Sequence, residues 1–107
     1  MITIQAMKTL LESVNGFDKK VTYYEWPINE SPPLPFICYF SPNETAFAAD
    51  NINYYSTPRF AVELYSKTRD LTTEALFEAK FKENHLYYTK EAEYLDDERC
   101  WVTVFSI

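Results

Sequence analysis

One glycine, Gly16, and one histidine, His85, are all that this 107-residue chain holds of two residue types on which much enzyme chemistry depends. A lone glycine leaves almost no material for phosphate-cradling loops or dinucleotide turns, which need backbone free of a Cβ. Cysteine is scarce too: Cys38 and Cys100 lie far apart, each in an apolar, strand-like run. Two isolated cysteines do not make a zinc site and read as small buried hydrophobes. A disulfide between them has no secretory context to support it. No apolar run approaches the roughly 18–20 residues that span a bilayer. Lys8 falls inside the first apolar pattern rather than ahead of it, unlike a secretory signal, so a cytosolic product is expected. No metal, cofactor or membrane is expected.

What is abundant is aromatic surface. Tyr, Phe and Trp make up 18% of the chain and apolar residues 47%. Rigid aromatic side chains suit a protein that buries area, against its own core or against partners. The length fits one domain spanning 1–107, with a globular composition. The net charge is −6, and its placement is uneven: between Asp70 and Glu98 stand nine acidic residues against three basic ones, while the remainder balances. Direct binding to nucleic acid is therefore not expected, because that affinity comes from basic side chains displacing counterions.

Ile4, Met7, Leu10, Leu11 and Val14 recur at helical spacing, predicting a first helix over Thr3 to Asn15 closed by Gly16. Lys20 to Trp26 is β-branched and aromatic and reads as a strand. Pro27, Pro32, Pro33 and Pro35 mark an extended loop, followed by a short strand from Phe36 to Phe40 that Ser41, Pro42 and Asn43 stop. Thr45 to Pro58 has no clean period and reads as an irregular arm. From Arg59 the chain alternates, with Phe60, Val62 and Leu64 on one side and Glu63 and Tyr65 on the other. Asp70 is placed to cap a second helix running to about Asn84, with Glu74 complementing its dipole. Phe77 and Phe81 lie one turn apart, with Leu71, Ala75 and Ala79 alongside, and Asn84 is expected in the left-handed conformation that ends helices. Leu86 to Tyr94 and Arg99 to Ile107 read as a closing hairpin around Leu95 to Glu98. The expected fold class is α+β, a mainly antiparallel mixed sheet with two helices on one face.

Candidate chemistry is thin. His85 with Cys38 or Cys100 would be a nucleophile system, but neither cysteine sits in the kind of turn or helix start that activates a thiolate. Glu91, Glu93, Asp96 and Asp97 read as a solvated strand face and turn, since a calcium loop normally adds a glycine kink. The aromatics Tyr24, Tyr54, Tyr55 and Tyr87, with few bases nearby, suit protein–protein anchors better than nucleic-acid stacking platforms. Phe47, Tyr54 and Tyr55 are the candidate interface residues. No catalytic residue is expected.

Four segments taken together, LESVNGFDKKVTYYEWP, PPLPFICYFSP, FAADNINYYSTPRFAVELYSKTRD and EALFEAKFKENHLYYTKEAEYLDDERCWVTVFSI, resemble the small tail-completion, or tail-terminator, proteins of siphophages and prophages of Gram-positive bacteria. The resemblance runs nearly end to end. It departs at Asn84-His85, where the pattern commonly has Asn-Gly. It implies a tail-terminator-like fold and a structural virion protein in the tail or neck, present in the host cytoplasm during assembly. It implies a homo-oligomeric, usually hexameric ring that caps the tail tube protein and docks on the head connector or head-completion protein. Ring closure needs heterologous interfaces, for which the arm from Phe47 to Tyr55 is a candidate. Asp96, Asp97 and Glu98, or the acids of the second helix, are candidates for an acidic lumen past which DNA slides without adhering. The alternative is a small acidic inhibitor or immunity-type module that binds a basic protein partner.

Overall fold

The computed structural model describes residues 3–26, 31–49 and 52–107, the side chains of 42–49 and 52–59 excepted. Its elements run α1 (Ile4–Glu12), β1 (Val21–Tyr23), β2 (Phe36–Ala49), β3 (Ile52–Ser66), α2 (Leu71–Glu83), β4 (Thr89–Leu95) and β5 (Cys100–Ser106). The strands form one five-stranded sheet in the order β1-β2-β3-β5-β4. Only the β1–β2 pair is parallel. The fold is α+β, as the sequence predicts.

Both helices pack on the same face of the sheet. Met7, Leu10 and Leu11 of α1 and Phe77 and Phe81 of α2 join a core with Ile37, Tyr39, Val62, Leu64 and Phe105 from the strands. The register places these strand residues on one face, because Ile37 pairs with Leu64, and two residues along Tyr39 pairs with Val62, which in turn pairs with Phe105. Aromatic edges lock the layers: Phe17 meets Phe77 with ring centroids 4.8 Å apart, and Phe81 meets Phe105 at 5.3 Å. The opposite face, carrying Phe36, Phe40, Tyr65, Val102 and Val104, has no helix against it among the described residues.

The helices are shorter than predicted, and their ends differ in mechanism. Thr3 caps α1 by accepting from Ala6 N at 3.0 Å, and Ser13 ends it. Gly16, at φ +91°, turns the chain three residues later. Asp70 caps α2 as expected, accepting from Thr73 N at 3.1 Å. Asn84, however, is not left-handed; His85 is, at φ 58°. His85 N donates to Lys82 O and Leu86 N to Phe81 O, so the positive-φ residue falls one position later than the asparagine suggests.

The stripe on α2 also differs. Leu71, Ala75 and Ala79 are exposed, whereas Glu74 is buried beside Phe77 and Phe81. Residue type favoured the alanines over a carboxylate; the burial of Glu74 is made tolerable by the cations of Arg69 and Lys90.

The largest correction concerns the arm. Thr45 to Ala49 and Ile52 to Pro58 are strand, not irregular, and Ser41 to Asn43 do not stop a strand: β2 and β3 form one long antiparallel pair. Pro42 sits in a bulge between the pairs Phe40↔Ala61 and Asn43↔Arg59, where a missing N–H costs no ladder bond.

Candidate assembly surface

The hairpin outruns the sheet that carries it. On one side, β1 accompanies β2 only as far as Tyr39, and Tyr23 Oη accepts from Ser41 N. On the other, β5 accompanies β3 only to Ala61, with Phe60 and Ile107 exchanging the last backbone bonds. Beyond these points the two strands pair only with each other among the described residues. The ribbon from Ile52 to Arg59 adds roughly 26 Å of strand at the usual rise, in a molecule whose longest axis is 48 Å. A two-stranded ribbon with no sheet beside it is marginal in water and presents open edges.

Phe47, Tyr54 and Tyr55 meet within that ribbon. Ala46 pairs with Ser56 and Ala48 with Asn53, so Phe47 of β2 stands opposite Tyr54 and Tyr55 of β3 in a second bulge. Three residues selected only for being aromatic thus occupy one register position. Their side chains lie outside the described residues.

Asp96, Asp97 and Glu98 form the exposed turn between β4 and β5, with Arg99 at φ 53° closing it. Leu95 pairs with Cys100 and Ser66 with Trp101, so this turn lies at the end of the sheet away from the ribbon. The structure therefore separates the two sets of candidates. Glu98 also borders a cavity of about 450 Å³ whose other walls include Trp26, Phe36, Cys38, Tyr65 and Cys100.

Neither thiol is poised to react. Burial, with Glu63 and Glu25 nearby, pushes the Cys38 thiol up to about 11, and burial with Glu98 nearby raises that of Cys100. Through the pairs Cys38↔Glu63 and Glu63↔Val104, Cys38 lies two strands and four residues from Cys100. At ordinary sheet spacings that is roughly 16 Å, too far for a disulfide. His85 stands exposed at the helix terminus, away from both. No group of metal-ligating side chains occurs among the described residues.

A polar cluster that sequence reasoning missed ties α2 to the sheet. Glu74 is 1% exposed. Its Oε2 accepts from Arg69 Nε at 3.0 Å and from Thr103 Oγ1 at 3.0 Å, and Lys90 Nζ lies 3.1 Å from Oε1. Lys90 also reaches Glu78, whose other oxygen accepts from Tyr88 Oη at 2.7 Å. Burial works against ionisation of Glu74, but the donors outweigh it and hold its carboxyl below the usual range. The available signal was the spacing of Glu74, Phe77 and Phe81 on one helical stripe.

Comparisons with models of known families, with characterised proteins and with solved structures find no match.

Proposed function

We propose that this chain is a structural virion protein of the tail-terminator type, which assembles into a ring, caps the tail tube and meets the head connector. It acts through shape and adhesion, with no reaction performed by its side chains. The observation that carries this reading is the ribbon, which extends past the sheet and gathers Phe47, Tyr54 and Tyr55 at one bulge. Its open edges gain stability by lying against a neighbouring subunit, and a patch that differs from its receptor closes a ring rather than a two-fold dimer. The sequence resemblance supports the same reading. In the assembled virion the acidic turn at Asp96, Asp97 and Glu98 repels passing DNA.

The test is sedimentation velocity over a wide concentration range, alone and with purified tail tubes, paired with negative-stain imaging. Closed rings are expected, and the Tyr54→Ala/Tyr55→Ala variant is expected to keep its melting temperature and lose them. A chain that stays monomeric under every condition and pairs one-to-one with a basic protein supports the inhibitor alternative instead. Rings indifferent to the tyrosine variant refute the ribbon's role.

A further inference from the structure

The helices cover one face of the sheet, and among the described residues no helix lies against the other, where Cys38, Val102 and Cys100 are buried at one end. Phe40, Ala61 and Val104 are only half-buried there, although each lies on a central strand. Glu63, Glu91 and Glu93 share that face, since Glu63 pairs with Val104, and Val104 and Val102 pair with Glu91 and Glu93. Among the described side chains of the strands, none on this face is basic. Lys90, the cation of β4, points to the helices, where Glu74 and Glu78 hold it.

The cavity of about 450 Å³ opens at one end of the same face. It is walled by the rings of Trp26, Phe36 and Tyr65, with Glu98 at its border. Trp26 Nε1 is buried without a hydrogen-bond partner among the described residues. Aromatic walls beside a carboxylate suit the apolar stem and charged head of arginine or lysine.

We infer that this helix-free face is the docking surface for a basic amphipathic segment of a different protein. Its apolar side chains cover Phe40 and Val104, its cations meet Glu63, Glu91 and Glu93, and one of them enters the cavity beside Glu98. Interleaved glutamates select the sign of the partner, because like charges across an interface are strongly disfavoured. A second copy, itself at net charge −6, does not fit that requirement. This face is distinct from the ribbon, so the inference stands apart from ring formation.

The experiment is a two-dimensional amide NMR titration of the intact chain with a synthetic leucine–lysine amphipathic peptide, at physiological salt. A leucine–glutamate peptide of the same length is the control. Saturable shifts at Cys38, Glu63, Val102 and Val104 are expected with the basic peptide alone. Glu91→Lys/Glu93→Lys is expected to weaken binding by at least about tenfold, while Asp96→Lys/Asp97→Lys leaves it near its original strength. Matching thermal melts establish that both variants fold. Shifts that map to α1 and α2, equal binding of the acidic peptide, no binding below millimolar concentration, or indifference to the Glu91/Glu93 change each overturn the inference. So does self-association through this face, seen as shifts at the same amides on concentrating the chain alone.

Discussion

Thr103 Oγ1 donates to Glu74 Oε2 at 3.0 Å, joining the fourth residue of β5 to the first turn of α2 inside the core. The same oxygen accepts from Arg69, so a single buried atom ties helix, strand and the preceding loop. Glu74→Gln is expected to destabilise the fold by about 2 kcal/mol, the scale of hydrogen bonds to a charged group. The loss stays near that value because Arg69 and Lys90 both retain access to water. Denaturant unfolding of the two proteins measures it.

The acid limb of stability has a defined sign. The Glu74 carboxyl is held below its ordinary value of 4.5 in the fold. Its contribution is therefore complete above that value and is lost as pH falls through the lowered native one. Urea midpoints measured from neutral pH downward are expected to fall more steeply for the parent than for Glu74→Gln. Parallel curves refute this.

His85→Gly is expected to stabilise the chain by about 0.5–1 kcal/mol. His85 holds a left-handed backbone, at φ 58°, which a side chain disfavours and glycine does not. The two backbone bonds that close α2 need only main-chain atoms and survive the change. A rise in melting temperature with unchanged helix content is the expected result.

Cys38 is expected to resist alkylation at pH 8, where an exposed thiol reacts readily, because burial raises its titration to about 11. Since the folded value exceeds the ordinary 9.0, the thiol's contribution is complete below that ordinary value and lost as pH rises towards 11. Time-resolved labelling with iodoacetamide, native and in denaturant, checks the protection. Labelling at equal rates in both refutes it.

Much of the fold was legible because local periodicity and tertiary position agree. Phe60, Val62 and Leu64 alternate with Glu63 and Tyr65 and do face the core. Asp70 precedes its helix with a side chain short enough to reach Thr73 N, and it caps it. The ribbon was not legible. Pro42 and Pro58 are strand breakers on local grounds, yet one sits in a bulge and the other in a ribbon lacking a neighbour on one side. The meeting of Phe47 with Tyr54 and Tyr55 depends on that bulge's register, which no residue spacing encodes.

By itself the sequence determined the two helices, the strands outside the ribbon, the α+β class and the aromatic, acidic composition, since each follows from short-range patterns of side-chain type. Only the tertiary structure decided that Glu74 lies inside, that both helices crowd one side of the sheet, and that the hairpin outruns its neighbours. Those outcomes rest on contacts between segments far apart in the chain. Thr103 and Lys90 must arrive beside Glu74 before a carboxylate is stable there, and β1 and β5 must end before β2 and β3 are left to stand alone.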